Sequence, residues 1–190
     1  MKTLLASLLV LAAAPLLPDP AAPPRDGHAP AAPRPKITTF LWYDDDAEEA
    51  IRFYGSVFGD FEVLEESRWG EGGPLPKGTL MSARFRLAGQ EFMALNGGPM
   101  FHFNEAISLF VHCESQAEVD VLWDKLGAGG APGQCGWLKD RYGLSWQVVP
   151  DGLTEMLSDP DPARARRVSE AMLQMGKLDI ARLKEAYDRH

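Results

Sequence analysis

The chain has 190 residues, 45% of them hydrophobic and 24% charged, with a formal net charge of −8. That is enough for one domain with a substantial core, and it fits neither a membrane protein nor a disordered one. Beyond residue 36 the charge rises to about ten net negative by formal counting, the wrong sign for nucleic acid or an anionic membrane, so a small molecule or a protein is the expected partner.

Residues 1–17 carry Lys2, an apolar run over 4–10, Leu11 and three alanines, the n-region and h-region of a secretory signal that extends at most to about residue 22. Pro15 and Pro18 keep the run short for a spanning helix. The expectation is export to the periplasm or medium, with an uncleaved anchor as the alternative and no other membrane association. Residues 18–36 are mostly Pro and Ala with isolated charges, a composition that cannot bury enough apolar surface to order itself. Cys113 and Cys135 are the two cysteines, so no disulfide framework holds the fold; they read as small buried hydrophobes, with pairing after export as the alternative.

The folded part begins with β-branched and aromatic residues at 37–43, a strand, followed by Asp44 to Asp46 as turn and helix cap. Ala47, Ala50, Ile51, Tyr54, Val57 and Phe58 then recur at helical spacing, and Gly59 closes the helix. Residues 61–69 read as a second strand and 70–78 as a long hairpin loop. Met81, Ala83, Phe85 and Leu87 alternate with Ser82, Arg84 and Arg86, a half-buried strand whose arginines form a solvated stripe. Residues 91–96 make the next strand, with Phe92, Ala94 and Asn96 on one face and Met93 and Leu95 on the other.

The same order then returns. Residues 106–113 form a strand, Ser115 with Glu118 makes a capping box, and Val119, Leu122, Trp123 and Leu126 form a helical stripe. Residues 134–139 and 144–150 are strands, one strand of this second module being missing or very short. Modules at about 37–98 and 104–150 give a domain over 37–152 of class α+β, built from tandem βαβββ units. Beyond it, residues 153–190 are a helical extension with Asp161-Pro162 as a start, Val168, Met172 and Met175 on one face, Gly176 as a stop and Asp179 as a second cap. Its stripe is expected to pack on the domain itself.

Several strings sharpen this pattern: Asp46-Ala47-Glu48-Glu49-Ala50 with Phe53-Tyr54; the run from Gly89-Gln90-Glu91-Phe92 to Asn96-Gly97-Gly98-Pro99; Phe103-Asn104-Glu105-Ala106; Cys135-Gly136-Trp137-Leu138-Lys139-Asp140; and Gly143-Leu144-Ser145-Trp146-Gln147. In order and together they resemble the PhnB-like family of the vicinal-oxygen-chelate superfamily, which includes glyoxalase I and extradiol dioxygenases. In metal-using members of that superfamily, four inward side chains, typically His, Gln or Glu, hold a divalent ion that polarises a substrate with adjacent oxygens. The resemblance puts Thr39, Asn96, Ala106 or Ser108, and Gln147 at those places. None supplies a carboxylate or imidazole, so the resemblance implies no metal and no other cofactor; His102 and His112 read as rim or loop residues.

What remains is a pocket of neutral hydrogen-bonding groups and aromatic walls: Thr39, Tyr43, Phe92, Asn96, Ser108, Phe110, Trp137 and Gln147. The expected function is metal-free binding of a small molecule, with a homodimer as the assembly. The alternative is a lyase, isomerase or dioxygenase with an unusual metal site. The label 3-demethylubiquinone 3-methyltransferase, attached to this family, is not supported by the residues: no Gly-rich turn follows a parallel strand to seat S-adenosylmethionine.

Overall fold

A computed structural model of the chain describes residues 35–189. The expected signal segment, and the Pro/Ala-rich stretch apart from its last two residues, lie outside the described residues. No helix among the described residues is long and apolar enough to cross a membrane.

The first module runs β1 (Thr39–Tyr43), α1 (Ala47–Phe58), β2 (Phe61–Arg68), β3 (Leu80–Leu87) and β4 (Gln90–Asn96). Its sheet has the order β1-β4-β3-β2, with β1 parallel to β4 and the other pairs antiparallel. The second repeats it with β5 (Ser108–Cys113), α2 (Gln116–Gly127), β6 (Ala131–Pro132), β7 (Trp137–Lys139) and β8 (Ser145–Pro150), in the order β5-β8-β7-β6. The strand expected to be missing or very short is β6, of two residues, paired with Leu138 and Lys139. Helices α3 (Leu153–Leu157), α4 (Pro162–Met172) and α5 (Ile180–Asp188) follow. The fold is α+β, as the repeat implied.

Each sheet covers one face with its helix and leaves most of the other uncovered, except where Val149 of the second sheet packs under the C-terminal helices. In the first, Leu41, Tyr43, Ala83, Phe85, Phe92 and Ala94 pack with Ala50, Ile51 and Tyr54 of α1. Trp146 of β8 joins the same core, 5.4 Å from Tyr54 and stacked at 5.5 Å on Phe58. Aromatic contacts of this kind contribute about 0.5–1.5 kcal/mol each beyond burial, so this seam, more than the covalent linker, holds the modules together.

Local departures from the expected elements have local causes. Asp46 makes no side-chain cap; the first turn of α1 is capped from β4, where Asn96 Oδ1 accepts the Ala47 N–H at 2.8 Å. Ser115 does accept the Glu118 N–H, but the Glu118 carboxylate reaches back to the N–H of Glu114 instead of Ser115. The strand expected over 134–139 begins only at Trp137, because Cys135 (φ 58°) and Gly136 (φ 85°) are both left-handed and turn the chain. The strand expected over 106–113 begins at Ser108, after Asn104 Oδ1 takes the Ala106 N–H in a tight turn.

The extension starts as expected, with Asp161 Oδ1 accepting the Ala163 N–H and Asp179 the Arg182 N–H. Helix α4 ends at Met172, before Met175, yet Met175 is buried with Val168, Leu178 and Leu183 against Leu153 and Val149. Gln116 ties this cluster to the start of α2 by donating to Leu178 O and accepting from Ile180 N. Both cysteines are free, Cys113 fully buried and Cys135 half-buried.

Candidate functional site

Strand parity divides the eight expected pocket residues. Register pairs Thr39 with Phe92 and Tyr43 with Asn96, all on the covered face of the first sheet. Asn96 is 3% exposed and its amide is fully engaged: Oδ1 caps α1, and Nδ2 donates to Leu80 O at 2.9 Å. Tyr43 is likewise buried, its hydroxyl 3.2 Å from that of Tyr54.

Tyr54 leads to a residue the sequence reading passed over. Asp140, 3% exposed, takes the Tyr54 hydroxyl and the Trp146 indole N–H on Oδ2 at 2.8 Å each, and the N–H groups of Tyr142 and Leu144 on Oδ1 at 2.9 and 3.0 Å. Burial pushes the Asp140 carboxyl up while these four donors pull against it. Burial likewise raises the Tyr43 and Tyr54 hydroxyls and takes that of Tyr142 up to about 12. Four donors converge on one carboxylate from both modules, which makes this a clasp with no free group for a ligand. An Asp between a strand and a Tyr-Gly turn was the only sequence signal for it.

The other four residues share the open face of the second sheet. Phe110, Gln147 and Trp137 lie side by side across β5, β8 and β7, and Ser108, Ser145 and Lys139 form the adjacent row. Gln147 Nε2 donates to Ser108 Oγ at 2.8 Å. Ser145 is 1% exposed and its hydroxyl has no hydrogen-bond partner among the described residues. Lys139 Nζ is 2.6 Å from the carboxylate of Glu105, on the linker before β5, and this contact holds the Glu105 carboxyl below the usual range. Ser145 and Lys139 were not anticipated, although both stand on strands where alternation assigns their face.

This face continues around the edge of β5 into a groove of about 1080 Å³ between the modules. Thr39 and Phe92 line the groove from the first module, and residues 107–112 line it along β5, including Ser108 and Phe110. The groove therefore reunites four of the eight residues, whereas Tyr43 and Asn96 belong to the core.

On the open face of the first sheet, Arg84 and Arg86 do not form a solvated stripe. They join a continuous chain, Glu62 to Arg86 to Glu91 to Arg84 to Glu65, with contacts of 2.6–3.2 Å. Arg84 and Glu91 are only 17% and 14% exposed, because neighbouring long side chains cover each other.

The four positions matched to metal ligands do not meet on one face. Thr39 and Asn96 lie on the covered side of one sheet, Ser108 and Gln147 on the open side of the other. No group of three His, Cys, Asp or Glu side chains among the described residues could hold a metal ion, and neutral Ser and Gln oxygens are weak donors for a divalent transition metal. The donor set does not fit the ion used elsewhere in the superfamily.

Comparison with known proteins agrees with the fold. Residues 35–149 match the family described as 3-demethylubiquinone-9 3-methyltransferase, so α3 to α5 lie beyond the match. The solved structure of the PhnB protein from Bacillus cereus is 41% identical over 61% of this chain and 99% of its own, with a TM-score of 0.58. Protein PA1353 from Pseudomonas aeruginosa is 22% identical over 60% of this chain and 95% of its own, with a TM-score of 0.50. The fosfomycin resistance protein FosX from Listeria monocytogenes is 18% identical over 58% and 86%, with a TM-score of 0.45. No curated protein matches. On repeat, topology and sequence together, the chain belongs to the family described as 3-demethylubiquinone-9 3-methyltransferase, the PhnB-like branch of the vicinal-oxygen-chelate superfamily.

Proposed function

We propose that the chain binds a small molecule on the open face of its second sheet, between the aromatic rings of Phe110 and Trp137, held by Ser108, Ser145 and Gln147 without a metal ion. The observation that carries this reading is the Ser145 hydroxyl, buried and without a partner beside the Ser108–Gln147 pair. Leaving such a group unmade costs about 1–3 kcal/mol, and a ligand oxygen or nitrogen on this face satisfies it. Aromatic walls with a few fixed polar groups are the usual make-up of a small-ligand site.

Methyl transfer, which the family's description names, is a poor fit to the same geometry. The turns after β1 and β5 are Asp44 to Asp46 and Glu114-Ser115 and have no glycine. Contrary to expectation a glycine pair, Gly97-Gly98, does follow the parallel strand β4. The Trp42 ring fills the space beside Gly97, however, and no helix follows before α2, so that turn does not present a helix N-terminus to a bound cofactor.

A homodimer is part of this proposal. Strands β1 and β5 are sheet edges, and Phe40, Ile107 and Phe110 on them or beside them are 51%, 69% and 45% exposed. A second copy covering those edges would remove an open pairing template from water. Light scattering should return twice the single-chain mass; a monomer at micromolar concentration sinks this part. Export is proposed on the N-terminal composition, and an intact mass of native protein that still includes Met1 speaks against it.

The binding proposal is tested by a thermal-shift screen of small polar aromatic compounds on the full chain and on Gln147→Leu. A compound that stabilises the first and not the second supports it. A screen whose hits all act equally on both refutes the placement of the site.

A further inference from the structure

We infer that the ligand of this face is an anion, and that Glu105 holds its place in the free protein. The inference rests on the binding reading above and adds the ligand's charge and a built-in competitor.

The strands themselves state the sign. Although the chain contains 27 acidic residues, β5, β6, β7 and β8 contain no Asp or Glu. The polar row of the open face is instead made of donors: the hydroxyls of Ser108 and Ser145 and the ammonium of Lys139. At the far end of the face, His112 faces Asp151 at 3.4 Å, two rows from Ser145. The carboxylate that meets the row comes from outside the sheet, on Glu105.

Its reach shows what it covers. Ser108 and Lys139 stand on strands flanking β8, so roughly 9–10 Å of sheet separates them, with Ser145 in the middle. Glu105 lies three residues before Ser108, on the β5 side, and its carboxylate ends 2.6 Å from Lys139 Nζ on the β7 side. The ion pair therefore spans the row that holds Ser145, which is 1% exposed, while Val149, two rows on along the same face, is buried by the C-terminal helices instead. The tight turn closed by Asn104 Oδ1 and the Ala106 N–H presents Glu105 in that direction.

Such a strap is cheap to open. Glu105 and Lys139 side chains are 62% and 37% exposed, and an ion pair this wet adds little stability. A ligand carboxylate, or another singly charged oxyanion, that takes over Lys139 also offers an acceptor to the Ser145 hydroxyl, which Glu105 leaves unmet, beside Ser108, whose oxygen already accepts from Gln147. Released Glu105 returns to water with full hydration. The aromatic neighbours Phe110 and Trp137 favour a flat apolar body behind the charge.

The probes are sodium benzoate and its neutral isostere benzamide, titrated into the full chain while backbone amide shifts of Ser108, Lys139, Ser145 and Gln147 are followed by NMR. Benzoate is expected to bind at least about fivefold more tightly than benzamide. Glu105→Gln, which removes the competitor without disturbing a buried group, should tighten benzoate about two- to fivefold, the range an exposed ion pair supports, and leave benzamide unchanged. Lys139→Met should erase the preference for benzoate. Equal binding of the two probes, or no effect of Glu105→Gln on benzoate, overturns the anion inference while the binding reading stands. Failure of both probes to shift these amides overturns it as well, and the thermal-shift screen with Gln147→Leu then decides the binding reading separately.

Discussion

Replacing Asp140 by Asn tests the clasp between the modules with almost no change in shape. If the amide oxygen keeps the Tyr142 and Leu144 N–H groups, the new NH2 faces the Tyr54 hydroxyl and the Trp146 indole. Tyr54 can rotate its proton toward Tyr43, whose oxygen is 3.2 Å away, and accept from the amide. Trp146 Nε1 is donor-only and 2% exposed, so its N–H is stranded at a cost of about 1–3 kcal/mol. Losing charge assistance on the surviving bonds adds to this, and relief from burying a carboxylate subtracts. A net loss of about 2–4 kcal/mol follows, or roughly 5–15 °C in Tm for a domain of this size. Urea and thermal unfolding of the wild type, Asp140→Asn, Trp146→Phe and the double variant measure it. Because Trp146→Phe removes the stranded donor, the double variant should lose less than the sum of the singles. Asp140→Asn within about 2 °C of wild type, or strict additivity, would refute the reasoning.

Asn96→Ala strands the Ala47 N–H and the Leu80 carbonyl together and should cost about 2–4 kcal/mol in urea unfolding; a loss under 1 kcal/mol would show that α1 is capped in another way. The Cys113 thiol, fully buried and pushed up to about 12, should resist iodoacetamide at pH 8 in native protein and react in urea, as read by peptide mass spectrometry. The carboxyls of Glu48, Glu105, Asp120 and Asp159 are held below their usual range by Arg68, Lys139, Lys177 and Tyr187 respectively. Their contribution to stability is present above the ordinary carboxylate range and is lost as pH falls through the lowered values. Burial raises Asp140 and Asp46, and these contribute in the opposite sense, losing stability as pH rises through their folded values. Unfolding in urea at pH 3 and pH 6 should show the first group prevailing, with lower stability at pH 3; equal stability contradicts the ion-pair assignments.

The repeat was legible because periodicity and turn chemistry are local: α1 announces itself from Ala47 to Val57, and the alternation of β3 and β4 separates Phe92 from Met93 as the structure does. The site was half legible. Ser108, Phe110, Trp137 and Gln147 fall together because cross-strand register brings them there. Thr39 and Phe92 reach the groove from the first sheet, whereas Tyr43 and Asn96 turn into the core. Since a shift of one residue moves a side chain to the other face, placing Asn96 by its position near a strand end does not fix which face it occupies. The Asp140 clasp depends on partners up to 86 residues away in the chain, and the strap from Glu105 depends on where a linker crosses a sheet. Neither leaves a periodic trace.

The central claim, a small-molecule site on the open face of the second sheet, is tested most directly by mapping a screening hit onto the isotopically labelled full chain. The account predicts that the largest amide shifts, and ligand-to-protein NOEs, fall on Ser108, Phe110, Trp137, Ser145 and Gln147. Shifts confined to the first sheet or to helices α3 to α5, with those five residues unmoved, would contradict it.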